Sequence, residues 1–310
     1  MVTATLKTAD RGIMYWLAFA TIYIIWGTTY LAIKIGIVDF PPFIMASIRY
    51  LIAGVILLTI CTAKGENIFS KGVGYQILLG AFIMTFGQAI AFWSEKYISS
   101  GLTAVFNSLL PLCYIVADHR NWNNYKGSKL TIVSISLGLL GIVILFINPS
   151  GASEEHTGIL TLVASVVTVA GCFFWAAGSL YYKYHKKTGS LFHNVGWQLI
   201  GGMMCCLLVT LITGEWKGFS LGAVPLKAWF AVVYLAFAGS ILALLALYWL
   251  LARRPAAVVG TYAYVNPVIA VLLGYLIAGE QITIVQILGM VLILVAAYMA
   301  NQVKFTAANP

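Results

Sequence analysis

A few polar side chains sit where a polar side chain is costly. Arg49, Gln88, Asn107, Asn266 and the pair Thr28-Thr29 lie inside long apolar stretches. An Arg at the centre of a membrane-spanning helix costs roughly 2.5–3.5 kcal/mol on the insertion scale. Arg49 therefore needs a partner, a water-filled cavity or a route to the interface. It lies seven residues beyond Pro42, close enough to a helix start to snorkel outward as an anchor. The alternative is a functional cation that attracts a carboxylate or phosphate on a solute. Gln88, Asn107 and Asn266 can hydrogen-bond a solute or join helices.

This inventory suits recognition, not bond cleavage. The chain has no P-loop and no HExxH, so ATP hydrolysis and zinc proteolysis lack their machinery. His119, His156, His185 and His193 fall in loops or at a helix end without metal-ligand spacing, and read as solvated. Glu95, Asp118 and Glu280 fall at the ends of apolar stretches, so no carboxylate is expected deep in the membrane. Cys61, Cys113, Cys172, Cys205 and Cys206 all lie in apolar segments without a CxxC, as small core residues do. No catalytic residue, metal or cofactor is expected.

Aromatic residues and prolines complete the candidate site. Tyr15, Trp16 and Trp122 suit interfacial belts. Trp26, Trp93, Trp175, Tyr262 and Tyr264 are interior or repeat-matched, and are expected to line a pocket for a flat or amphipathic solute. Pro111 and Pro267 fall inside apolar stretches, where each removes the hydrogen bond to the carbonyl four residues earlier, that of Asn107 and Ala263. Lipid cannot satisfy those carbonyls, so they should face protein, water or ligand. The expected solute-binding set is Trp26, Thr29, Arg49, Gln88, Trp93, Asn107, Trp175, Tyr262 and Asn266.

The elements that hold these residues are long and apolar. The chain is 61% hydrophobic and 9% charged, with mean hydropathy +0.94, whereas soluble domains average about 25% charged. A span needs roughly 20 mostly apolar residues, and ten segments qualify: 13–36, 41–62, 73–96, 99–117, 129–147, 157–184, 194–213, 226–252, 256–277 and 282–303. The first is too long for a signal-peptide core and should remain a helix. Short linkers leave no room for a soluble domain between spans. The net charge of +9 follows membrane sidedness and does not indicate nucleic acid. With the N-terminus inside, thirteen of the 18 Lys and Arg fall on inner segments and four on outer ones. That is the positive-inside pattern, with both termini cytoplasmic.

The chain also repeats itself. WSEKYISSGLTAVFNSLLP, ending at Pro111, aligns without gaps to WLLARRPAAVVGTYAYVNP, ending at Pro267; the two are 156 residues apart. Leu51-Ile52-Ala53-Gly54 answers to Leu199-Ile200-Gly201-Gly202. The organisation expected is a tail over 1–12, a first repeat over 13–150, a second over 151–303 and a tail over 304–310. Five spans per repeat is an odd number, so like halves must enter the membrane upside down relative to each other. The fold class expected is an all-α membrane protein of ten transmembrane helices in two inverted five-helix repeats. Such repeats typify secondary transporters, whose substrate sites lie near the midplane at the repeat interface.

The stretch Ile25-Trp26-Gly27-Thr28-Thr29-Tyr30-Leu31-Ala32-Ile33-Lys34 resembles the EamA family of the drug/metabolite transporter superfamily. So do Arg49-Tyr50-Leu51-Ile52-Ala53-Gly54 and Asn266-Pro267 with Gly279-Glu280 and Gln286-x-x-Gly289. The resemblance covers nearly the whole chain as two tandem repeats. It implies ten helices around a central cavity and export or exchange of small metabolites. One departure is that Asn123 and Asn124 occupy the first-half positions matching Gly279 and Glu280, so the loop Asp118–Ser128 is expected to pack in its own way.

The reading that results is a multi-pass protein of the inner or plasma membrane. It moves a small organic metabolite, amino-acid-like or drug-like, by alternating access, with the resemblance favouring export. Its partners are the solute and the bilayer, and one chain is expected to act as a monomer. The alternatives are a facilitator or exchanger for a phosphorylated or nucleotide-linked solute, and, outside transport, an enzyme acting on lipid-linked substrates.

Overall fold

The computed structural model describes residues 2–98, 100–146, 159–185, 187–278 and 283–302, all of whose regular structure is helical. In chain order the longer helices are α1 (Val2–Gly36), α2 (Pro42–Ala63), α3 (Val73–Ser94), α4 (Ser100–Asn107), α5 (Leu110–Ala117), α6 (Trp122–Gly127) and α7 (Lys129–Phe146). The second part of the chain gives α8 (Ile159–Tyr184), α9 (Leu191–Thr213), α10 (Leu226–Leu251), α11 (Ala256–Gly260), α12 (Tyr262–Ala278) and α13 (Ile284–Asn301). Among the described residues, eight helical segments are long and apolar enough to cross a membrane. A ninth is added if α6 and α7, bent by 93° at their junction, count as one span. The fourth expected span is the shorter one: it is divided into α4 and α5. The segment read as a tail over 1–12 continues the helix of the first span from Val2. The linker 147–158 and the Gly279-Glu280 pair lie outside the described residues.

Local sequence sets the helix ends. Pro42 opens α2, where its missing N–H is lost anyway and its fixed φ suits the first turn. Pro111 stands in the first turn of α5 and not inside a continuous helix. The span breaks at Ser108-Leu109, because a helix running through would clash with the pyrrolidine ring at the carbonyl of Asn107. Pro267, in contrast, is carried inside α12, and the break in that span comes earlier, between Gly260 and Tyr262. There the Thr261 hydroxyl donates back to the Val258 carbonyl at 2.7 Å. Two wide π-helical stretches, Ala81–Ala89 within α3 and Leu235–Leu242 within α10, fall at corresponding points of the two sequence repeats. Such turns concentrate at functional sites.

The helices pair across the chain in a reciprocal pattern. α2 packs on α9, α7 on α13, α5 on α11, α1 on α10 and α12, and α3 on α8. Polarity is arranged as lipid demands. Leu211, Ile212, Leu276 and Tyr298 are exposed on the outer surface, whereas Gln76, Gln198, Asn194 and Arg49 are buried. The buried amides are joined: Gln198 Nε2 donates to Gln76 Oε1 at 2.8 Å, and the Tyr248 hydroxyl donates to Gln198 Oε1 at 2.8 Å. Lipid offers these groups no hydrogen bonds, so satisfying them within the bundle fixes the packing of α3, α9 and α10.

Candidate functional site

A central cavity enclosing about 670 Å³ of empty space, its mouth included, opens between the helices. Its walls come from α1, α2, α3, the α4–α5 break, α8 and the start of α12. Eight of the nine residues singled out in the sequence line it: Trp26, Thr29, Arg49, Gln88, Asn107, Trp175, Tyr262 and Asn266. Trp93 does not. On the helix α3 it sits just off the lining face, half-buried, with its ring 4.9 Å from that of Tyr97. The residues whose carbonyls the prolines release, Asn107 and Ala263, also line the cavity, although only Pro267 stands within a helix.

The aromatic wall is built from three elements. The Trp26 ring on α1 lies 4.5 Å from the Tyr262 ring on α12 and meets Trp175 on α8 edge-on at 5.8 Å. Trp26 Nε1 donates to the Gly239 carbonyl at 3.2 Å, which pins the indole to the π-helical turn of α10. Trp175 Nε1 is buried, on the side of the Tyr114 and Tyr262 hydroxyls. The Thr29 hydroxyl is already engaged, donating to the Trp26 carbonyl at 2.8 Å.

The amides are mostly held. Asn107 Nδ2 donates to the Tyr30 hydroxyl at 2.9 Å, and Asn107 Oδ1 accepts from Cys172 Sγ at 3.1 Å. Gln88 Oε1 accepts from the Tyr50 hydroxyl at 2.9 Å. The Asn266 amide, with its nitrogen turned toward them, donates to the carbonyls of Tyr262 at 2.8 Å and Tyr23 at 3.3 Å. These bonds stiffen the wall, while Gln88, held through its Oε1 and half-buried, keeps its Nε2 toward the cavity side.

The charges are not held in this way. Arg49 is fully buried, at 0% exposure, so it does not reach the interface as an anchor. Its Nε donates to Ser240 Oγ at 2.6 Å, and its guanidinium carbon lies 5.5 Å from the ring centres of both Tyr50 and Phe92. Its Nη2 has no partner. Glu95, read from the sequence as an end residue, lines the same cavity, and both its carboxylate oxygens are buried and unpartnered. The helical turn after Ser94 carries it inward. Among the described residues, no nitrogen of Arg49 and no other cation comes within 4.0 Å of a Glu95 oxygen. Position along the chain could not show this, because it depends on which face of the last turn of α3 meets the cavity.

Two seams close the bundle at its ends. At the end carrying most of the basic residues, the Asp118 carboxylate accepts from Tyr184 and Tyr125 at 2.7 Å each, and from Asn121 Nδ2 at 3.1–3.2 Å. Burial, reinforced by the Asp118 charge, holds the Tyr125 phenol well above its ordinary pKa, so it stays a neutral donor. His193 belongs to this end and is not solvated. It is buried, with Nε2 3.0 Å from the Ile68 carbonyl. At the opposite end Glu215 accepts from the Phe43 backbone N–H at 3.1 Å and lies 4.0 Å from Lys96 Nζ. Burial raises the Glu215 carboxyl above its ordinary pKa, against the opposing pull of that N–H and of Lys96.

Known proteins resemble this chain along most of its length. A model of the EamA-like transporter family matches residues 12–147 and again 162–302. The "Uncharacterized inner membrane transporter YedA" of Escherichia coli K12 is 31% identical over 93% of this chain and 90% of its own. The "Probable amino-acid metabolite efflux pump" of Salmonella typhimurium is 23% identical over 90% of this chain and 91% of its own. A solved crystal structure shares the fold, with a TM-score of 0.73 at 18% identity, over 92% of this chain and 95% of that one. With the family matched twice in tandem and the helices gathered around a central cavity, the chain belongs to the EamA-like transporter family and is a multi-pass inner membrane transporter.

Proposed function

We propose that the chain is a secondary transporter that moves a small organic metabolite, amino-acid-like or drug-like, out of the cell by alternating access. Its working unit is one chain, folded as two inverted five-helix halves with both termini in the cytoplasm. The observation that carries this reading is the cavity: helices from both sequence repeats contribute to one recess, and it holds a guanidinium, a carboxylate and an aromatic wall. The reciprocal helix pairing supports the inverted halves. α1 meets α10 as α8 meets α3, α5 meets α11 as α12 meets α4, and α2 and α7 meet their counterparts α9 and α13. That is the pattern a two-fold axis in the membrane plane would give. Export follows from likeness to a relative named as an efflux pump.

A phosphorylated or nucleotide-linked solute is the weaker alternative. Arg49 favours an anion, but it is the one Lys or Arg among the residues lining the cavity, and Glu95 lies in the same space. A multiply charged phosphate would meet one cation beside a carboxyl group that offers it no positive charge. Reconstitution into proteoliposomes tests the reading. Preloaded vesicles are assayed for counterflow of labelled amino acids, nucleosides, sugar phosphates and lipophilic amines. Accumulation of one class that depends on the protein supports transport. Equal counterflow in protein-free vesicles for every class rejects it.

A further inference from the structure

We propose that Arg253 and Arg254, at the end of α10, form a headgroup site for an anionic phospholipid, with the two guanidinium groups taking its phosphate and the neighbouring faces of α1 and α10 taking its acyl chains. The site lies at the basic end of the bundle and shares no residue with the lining of the central cavity. It does not depend on which solute is carried.

The end of α10 fixes the pair in place. The backbone N–H groups of Arg253 and Arg254 both donate to the Leu250 carbonyl, at 2.9 and 2.8 Å, and Pro255 then leads into α11. Lys183 Nζ donates to the Arg254 carbonyl at 2.8 Å, which ties this turn to the end of α8. Each guanidinium is seated on a ring. That of Arg253 has its carbon 4.2 Å from the centre of the Trp249 ring, and its Nη1 donates to the Trp249 carbonyl at 3.0 Å. That of Arg254 lies 5.0 Å from the centre of the Tyr15 ring on α1. The two rings are themselves in contact, with centres 5.1 Å apart. A pair of rings from two helices thus holds two cations side by side.

What the pair lacks is an anion. Arg254 Nε is buried without a partner. Among the described residues, no carboxylate comes within 4.0 Å of either guanidinium. Asp118, bonded to Tyr184 next to Lys183, already accepts from Tyr125 and Asn121 as well. Adjacent cations repel, and a phosphate between them removes that cost while matching the planar donor geometry of guanidinium. The surroundings select a lipid phosphate. Beside Tyr15, the apolar Met14, Trp16 and Leu17 are exposed on α1, and Leu242 is exposed farther along α10, as surface covered by acyl chains would be. Basic pockets between membrane helices on the cytoplasmic side bind phosphate headgroups in this way. The same geometry disfavours a zwitterionic lipid. Its ammonium or choline would meet two cations and no carboxylate, and the ring faces that could take a choline are already covered by the guanidinium groups.

The test uses the full-length chain purified in detergent. Bound lipids are counted by native mass spectrometry as phosphatidylglycerol, cardiolipin, phosphatidylethanolamine or phosphatidylcholine is titrated in. The anionic lipids should bind more tightly than the zwitterionic ones by about tenfold or more, the scale of charge-assisted hydrogen bonds to one phosphate. Arg253→Gln with Arg254→Gln should remove that preference, and Arg253→Lys with Arg254→Lys should keep part of it. Lys71→Gln with Lys129→Gln removes two exposed cations elsewhere on the chain and should leave the preference whole. Glycerol 3-phosphate, which has the phosphate without the chains, should fail to displace phosphatidylglycerol at equal concentration. Equal binding of anionic and zwitterionic lipids by the unaltered protein overturns the proposal, and this comparison needs no variant to fold. So does a preference that survives loss of both arginines, or one that falls equally in the lysine variant. Displacement by glycerol 3-phosphate overturns it too, since the pair would then be a site for a free phosphate.

Discussion

The Tyr184 hydroxyl donates to Asp118 Oδ1 at 2.7 Å. Asp118 follows α5 in the first sequence repeat and Tyr184 ends α8 in the second, so this bond ties the two repeats together at the basic end of the bundle. Tyr125 and Asn121 bring further donors to the same carboxylate, and Lys183 Nζ reaches the Arg254 carbonyl at 2.8 Å beside it. In a transporter of alternating access this seam must part for the cavity to open to that end. Asp118→Asn swaps an acceptor of several bonds for a weaker one and leaves buried donors short of a partner, which costs about 1–3 kcal/mol. Its melting temperature in detergent should fall, and Tyr184→Phe should have a smaller effect in the same direction. Cys172 lines the cavity and reports on opening. With the other four cysteines replaced, Asp118→Asn should speed maleimide labelling of Cys172 from the basic end of the protein. Unchanged labelling would remove this seam from the gating path.

Glu215 gives a dependence on pH. Its carboxylate accepts from the first turn of α2 through the Phe43 N–H, a favourable place for a negative charge, yet burial outweighs this and raises its pKa. A group whose folded-state pKa is raised binds its proton more tightly when folded. Its contribution to stability is therefore complete below the unfolded value, about 4.3 for a glutamate, and is lost as pH rises through the folded value. Glu215→Gln keeps an acceptor for Phe43 and does not titrate. The wild-type protein should lose melting temperature relative to Glu215→Gln as pH is raised from about 4 toward neutrality. A gap that is flat with pH would mean that this carboxyl titrates alike in both states.

Much of this architecture was legible in hydropathy, because each lipid-crossing helix has to be apolar for most of its length. The repeat ending at Pro111 and Pro267 located the two broken spans, though the chain bends at Ser108-Leu109 and at Thr261 and tolerates Pro267 within α12. Spacing could not show the break after Gly260, since no proline marks it and the Thr261 side chain supplies the local bond. The polar candidates met in one cavity because a polar group in a span has few other places to go. Glu95 and His193 depart from the sequence expectation for a common reason. Both lie near span ends, where sequence predicts water, and both are covered by other helices or loops that lie far away in the chain. The sequence leaves Arg49 open for the same reason: snorkelling and burial differ by which neighbour covers it, and Ser240 of α10 lies 191 residues away.

Trp26 separates wall from scaffold. Its indole is nearly buried, packs on Tyr262 and Trp175, and donates to the Gly239 carbonyl. Trp26→Phe retains a ring and loses the hydrogen bond, with an expected cost of about 1 kcal/mol. Trp26→Ala opens the wall and should cost about 3–5 kcal/mol. If the ring is a wall of the solute site, Trp26→Phe should also weaken solute binding in a protein that remains folded. A Trp26→Phe protein with wild-type affinity and a lowered melting temperature would make Trp26 scaffold alone.

α3 and α9 approach closely, with glycines facing backbone. A Cβ added at Gly80 would collide with the backbone of Gln198, and one added at Gly201 with the carbonyl of Ile77. Small residues let helices approach this closely in lipid, where dispersion and polar contacts replace the hydrophobic drive. The same contact places Gln198 against Gln76, so separating the helices also strains a buried amide pair. Backbone cannot step aside as a side-chain tip can, and overpacking typically costs about 1–3 kcal/mol. Gly80→Ala and Gly201→Ala should each lower the melting temperature clearly. Gly74→Ala, on the same helix but with open space around the added carbon, should leave it unchanged or raise it slightly, since alanine favours a helix over glycine. If all three variants melt alike, the close approach of α3 and α9 is not what holds these helices together.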